Sequence, residues 1–139
     1  MAKPEFPAEF PTTMVTIEGW ENWLFCDAIG VEPSYDIVHP GLGFLVCVRS
    51  SSVSLVDLLE MAGCRTEDGP MLVGSEIDCF EALRVGVTSE VGHRIESLDR
   101  KEGRSLGVFD LLTHRLTLSR HGQTVFAYTG RMVLPRGVR

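Results

Sequence analysis

The sequence predicts an α+β fold, helical in its first half and built of antiparallel strands in its second. Three observations carry that expectation. Apolar residues recur at helical spacing before position 63, strand-length β-branched and apolar runs follow Pro70, and turn-forming residues punctuate those runs. At 139 residues the chain is the size of one domain, and 44% hydrophobic with 23% charged residues is ordinary globular composition. The formal charge of −6 argues against a phosphate-backbone footprint, so no nucleic-acid partner is expected.

Residues 1–12 form a proline-punctuated arm without the apolar run of a signal peptide, and no stretch approaches the ~20 residues that span a bilayer. No membrane association is expected, and the expected location is the cytoplasm. Cys26, Cys47, Cys64 and Cys79 form no C-x-x-C pair and read as buried, reduced thiols. No zinc spacing, phosphate loop or Gly-x-Ser-x-Gly elbow is present, so no metal site is expected.

Residues 13–17, rich in Thr and Val, read as a first strand. Residues 18–29 read as a helix closed by Gly30. Its stripe of Trp20, Trp23, Leu24 and Ala28 is expected in the core. Pro33 and Pro40 make 31–40 a loop. Residues 41–63 read as helix in two pieces, broken at Ser50-Ser51-Ser52; Ser54 is placed to cap the second piece and Gly63 to end it. Four strands follow at 71–80, 88–98, 105–118 and 124–134. The run Asp99-Arg-Lys-Glu-Gly103 and the run Arg120-His-Gly122 read as turns, so the strands should form a meander. The last two strands carry apolar groups on both faces. One helix covers one face, so a partner is expected on the other and at the sheet edge.

Asp110 and His114 share one face of a strand, where burial requires partners; a polar contact across a subunit interface is the expected use. His93 and His121 are expected at the surface.

The runs Asp68-Gly-Pro-Met-Leu-Val-Gly-Ser-Glu76, Leu83-Arg-Val-Gly86, Arg100-Lys-Glu-Gly-Arg-Ser-Leu-Gly-Val-Phe-Asp-Leu-Leu-Thr113 and Met132-Val-Leu-Pro-Arg136 resemble the MaoC-like (FAS1-like N-terminal) dehydratase domains. That resemblance implies a hot-dog fold over residues 13–139: an antiparallel sheet of five to six strands wrapped around a central helix. It also implies a homologous hot-dog subunit, or a second copy of the chain, as partner. An acyl-CoA substrate would lie in a tunnel between the two, with no cofactor beyond that thioester. The family's hydration motif, Gly-Asp-x-Asn-Pro-x-His, positions a water between a carboxylate and an imidazole while a helix N-terminus polarises the thioester carbonyl.

Here Gly30-Val-Glu-Pro-Ser-Tyr35 stands at the motif, with Val31 for the aspartate and Tyr35 for the histidine. The resemblance therefore implies the catalytically silent half of a pair. Three residues of the loop remain as catalytic candidates. Asp36 and His39 form either an atypical dyad or a turn Asp and a loop His, and Tyr35 is either a hydrogen-bond donor to a carbonyl or a packed loop residue. Arg84, Arg100, Lys101 and Arg104 either contact the CoA phosphates or form a solvated corner and hairpin tip. A self-sufficient hydratase at Asp36 and His39, or a thioesterase on the same fold, is the alternative function.

Overall fold

The computed structural model describes residues 5–136. Its elements are β1 (Ala8–Glu9), β2 (Thr13–Thr16), α1 (Gly19–Ile29), α2 (Pro40–Ser50), α3 (Leu55–Met61), β3 (Met71–Cys79), β4 (Thr88–Gly103), β5 (Gly107–Arg120) and β6 (Gln123–Pro135). One antiparallel sheet holds all six strands in the order β1-β4-β5-β6-β3, with β2 also paired to β4. The helices lie on its inner face, and α2 touches β2, β3, β4 and β5.

The local signals act as the sequence predicts. Gly30 adopts a left-handed conformation, φ 74°, that ends α1. The Ser54 hydroxyl accepts from the Asp57 N–H at 3.1 Å, starting α3. Strands β4 to β6 form the expected meander. The strand at 71–79 does not extend that meander in sequence order: it pairs with β6, because β1 and β2 occupy the outer edge of β4. The arm is therefore tied into the sheet, with Phe10 N–H donating to the His93 carbonyl at 3.0 Å.

Inward residues form two apolar clusters, one for each half of the broken helix. Val46 and Cys47 of α2 cluster with Leu116, Leu118 and Phe126, and Leu58 of α3 clusters with Ile95, Leu112, Met132 and Leu134. Burial pushes the Cys47 thiol up to about 12, so it stays protonated and unreactive. Cys26 and Cys64 are also buried and free, as expected; Cys79, on the edge strand, is exposed.

Two packing expectations are corrected. Trp20 and Trp23 are 64% and 52% exposed, and the side chains that α1 buries are Asn22 and Cys26. The outer face of the last two strands is apolar only in part: Phe109, Leu111, Ala127 and Val133 stand there, beside Thr113, Arg115, Thr117, Ser119 and Arg131. Unburied apolar side chains gather instead on the β3 edge, at Leu72, Val73 and Ile77, and on α1.

Candidate functional site

The loop at residues 31–39 is held from below by Asn22, fully buried on α1. Its amide donates to the carbonyls of Ser34 and Ile37, both at 3.1 Å, and its Oδ1 accepts from the His39 N–H at 2.9 Å. The Ser34 hydroxyl accepts from the N–H groups of Asp36 and Ile37, closing a tight turn. On the other side Val38 N–H donates to the Leu83 carbonyl at 2.7 Å and Val85 N–H to the Asp36 carbonyl at 3.0 Å. The corner at 83–86 thus docks on the loop and brings Arg84 opposite Ile37. Sequence reasoning missed Asn22. Its only signal was an amide set between the two tryptophans of the helical segment, where no charge or motif marks it. Asn22→Ala removes its three hydrogen bonds to the loop and leaves those partners unsatisfied, so a loss of roughly 2–4 kcal/mol in urea unfolding is expected. Limited proteolysis should then cut first within 31–39.

His39 caps α2. Its Nδ1 accepts from the Gly41 N–H at 3.0 Å and its carbonyl accepts from the Leu42 N–H at 3.0 Å. Pro40, the first helical residue, has no N–H to satisfy. The free donors that open a helix are therefore taken up inside the chain. Gly41 is required for this closure: a Cβ there would stand 2.8 Å from Phe25 Cζ and 3.2 Å from His39 Nδ1. With Nδ1 accepting, the neutral ring carries its proton on Nε2, so His39 is a donor at its outer nitrogen. Acting as a base there would require moving the proton to Nδ1 and breaking the cap. No hydrogen bond joins Asp36 to His39 among the described residues; Tyr35 is 94% exposed and Val31 is exposed.

The basic candidates do not form one turn. Arg100 and Lys101 lie within β4, which runs on to Gly103, and the hairpin tip holds Arg104. Arg100 donates to Asp110 in a two-pronged contact, Nε to Oδ1 at 2.7 Å and a terminal nitrogen to Oδ2 at 3.2 Å. Arg136 Nε reaches Asp110 Oδ2 at 2.9 Å, and its other nitrogens donate to the carbonyls of Ala62 and Gly63 at the end of α3. The hydrogen bond from Arg100, with a further one from Arg136, holds the Asp110 carboxyl below its ordinary value against the opposing effect of burial. Asp110 is thus satisfied inside its own chain rather than across an interface. Lys101 and Arg104 are exposed and have no ion pair among the described residues, and Arg84 is exposed at its corner.

His93 is buried, against expectation, and His114 joins it. His93 Nε2 and His114 Nδ1 are 3.0 Å apart, and Ser51 Oγ lies 2.7 Å from His93 Nδ1. Val53 N–H donates to Ser51 Oγ at 3.2 Å, so the serine proton is free to point at His93. The chain then runs one way, from Ser51 to His93 to His114. It fills the seam between the two apolar clusters, where α2 gives way to α3. Burial, aided at His93 by the neighbouring imidazole, lowers both rings to about 4. Both are neutral at pH 7. His121 is exposed at the β5–β6 turn. Among the described residues no group of three or more His, Cys, Asp or Glu could hold a metal, and no single helix is long and apolar enough to cross a membrane.

No protein-family model and no curated protein matches the chain. Solved structures do. The ChsH1-ChsH2 complex from Mycobacterium tuberculosis contains a chain that superposes with a TM-score of 0.70 at 11% identity, over 94% of this chain and 86% of that one. A MaoC-like dehydratase from Rhodospirillum rubrum gives 0.69 at 13% identity, over 98% and 96%. A chain of the HadBC (3R-hydroxyacyl-ACP dehydratase) complex from Mycobacterium tuberculosis gives 0.58 at 13% identity, over 95% and 99%. The chain therefore has the hot-dog fold: one antiparallel sheet of six strands with a helix against its inner face. Structures similar to it include a MaoC-like dehydratase and a hot-dog-like protein.

Proposed function

We propose that this chain is the non-catalytic, tunnel-forming subunit of a heteromeric MaoC-like enoyl-CoA hydratase or 3-hydroxyacyl-thioester dehydratase. A homologous hot-dog subunit brings the catalytic aspartate and histidine, and the acyl-CoA lies between the two. The observation that carries this reading is the closed start of α2. Hydration needs a base for the water and free donors for the thioester oxygen. Here the His39 ring is spent on the Gly41 N–H and the His39 carbonyl on the Leu42 N–H, so one residue occupies both the imidazole and the helix donors. Val31 offers no carboxylate, and Asp36 does not orient the His39 ring.

Two further features support the reading. Among the similar structures are two named as complexes, ChsH1-ChsH2 and HadBC. The β3 edge offers unpaired backbone groups flanked by exposed Leu72, Val73 and Ile77, a surface suited to another sheet edge. Of the four basic candidates, Arg84, Lys101 and Arg104 make no ion pair among the described residues and could meet the CoA phosphates, whereas Arg100 is committed to Asp110. Co-expression with a hot-dog subunit carrying an intact Asp and His motif, followed by sizing and an enoyl-CoA hydration assay, tests the proposal. A co-eluting, active complex is expected. Two proteins that elute separately, each with unchanged activity, would contradict it.

A further inference from the structure

The outer stripe of α1 is unused by the fold. Trp20 and Trp23 lie one turn apart on it, and with Pro33 and Tyr35 of the following loop they line a groove of about 240 Å³. That volume is below the ~300–1,000 Å³ of ordinary ligand pockets and suits one long side chain. The charge around it has a single sign. From Pro4 to Val48 every side chain charged at pH 7 is a carboxylate. Asp27 follows Trp23 by four residues and so continues the same stripe, while Glu32 and Asp36 flank the Pro33–Tyr35 turn. Asp27, Glu32 and Asp36 are exposed and make no ion pair among the described residues. Arg49 is paired to Glu21 at 2.9 Å, and Arg84 stands opposite Ile37.

We propose that this face docks a basic protein partner, which seats a lysine or arginine side chain among Trp20, Trp23 and Tyr35. Indole and phenol faces attract an ammonium or guanidinium, and a carboxylate rim adds to that attraction. The same rim repels phosphate groups. Exposed tryptophan and tyrosine with a charged rim is also the composition of an interface hot spot. The proposal does not depend on pairing at β3, because α1 follows β2, which pairs with β4, while β3 forms the opposite edge of the sheet.

Trp20 and Trp23 are the only tryptophans of the chain, so tryptophan emission reads this groove alone. Titration with a short lysine–leucine peptide, up to millimolar, should give a saturable change in emission. Its apparent affinity should weaken about tenfold between 50 and 500 mM NaCl. The double variant Asp27→Lys, Glu32→Lys should weaken binding by about tenfold or more, with an unchanged melting curve because both positions are exposed. Absence of a saturable change, or an equal response to a control peptide with glutamate in place of each lysine, would overturn the proposal. So would a blue shift with neutral phosphatidylcholine vesicles and none with the lysine peptide, which would assign the face to a membrane surface.

Discussion

Lowering the pH from 7 to 4 is expected to cost this protein on the order of 3 kcal/mol of stability through the buried histidine pair. His93 and His114, 7% and 4% exposed, are lowered to about 4 in the folded chain, against 6.5 for a free imidazole. A folded value below the unfolded one means that the unfolded chain binds the proton first. The stabilisation is complete above pH 6.5 and is lost as pH falls toward 4. The difference between 6.5 and about 4 is worth roughly 3 kcal/mol for one ring. The second proton meets an already charged neighbour 3.0 Å away, so the two costs do not add independently.

The groups facing the pair are Ser51, the edge of the Phe10 ring and the Tyr128 ring, none of which supplies a countercharge. The Asp110 carboxyl, held low by Arg100 and Arg136, loses its contribution only below about its unfolded value of 3.8, so the two windows separate. Thermal melts between pH 7.5 and 4.5 should show the decline, and replacing both rings, His93→Gln together with His114→Gln, should flatten it. A melting temperature constant across that range would contradict the burial of the pair.

A charged side chain on the β3 edge is expected to weaken subunit association by roughly 100-fold or more while leaving the fold intact. Val73 and Ile77 are exposed in the isolated chain, so Val73→Glu or Ile77→Lys removes no core contact. Each ~100 Å² of apolar surface left wet forgoes about 2.5 kcal/mol, and a charge buried there adds its own desolvation cost. Leu112 and Met132 lie in the cluster beneath α3, and the same changes there would unfold the chain instead. Light scattering at micromolar concentration separates the outcomes. Assemblies larger than the 15.4 kDa protomer should revert to it in the β3 variants. Unaltered assembly in both variants would place the interface elsewhere.

The strands of the second half were legible because alternation and turn chemistry are local properties. What sequence left hidden was set by distant pairs. Asp110 could be recognised as a buried carboxylate needing cations, but Arg100 and Arg136 are 10 and 26 residues away and meet it only once β4, β5 and β6 align. The charged run at 99–103 was misread as a turn because its polar residues suit a hairpin tip. Cross-strand pairing with 107–111 carries β4 through it. His93, expected at the surface, is buried because its partner His114 is 21 residues on and meets it only across paired strands.

The tryptophan stripe of α1 was misassigned for a different reason. An apolar stripe at helical spacing marks a contact surface, and the spacing is the same for a core as for a partner. The buried face of α1 is marked instead by Asn22 and Cys26, small side chains that carry little hydrophobic signal. The loop chemistry was half legible: the missing aspartate and histidine of the resembled motif could be read directly, but the use of the His39 ring as a helix cap could not.

The central claim, that this chain lacks its own proton-transfer machinery, is tested most directly by the hydration rate of crotonyl-CoA with the purified chain alone. Loss of a general base typically costs 10²- to 10⁴-fold, and the account predicts a rate lower than that of intact MaoC-like hydratases by at least that factor, unaltered by His39→Ala. A rate comparable with those enzymes, abolished by His39→Ala, would contradict it and make His39 the base.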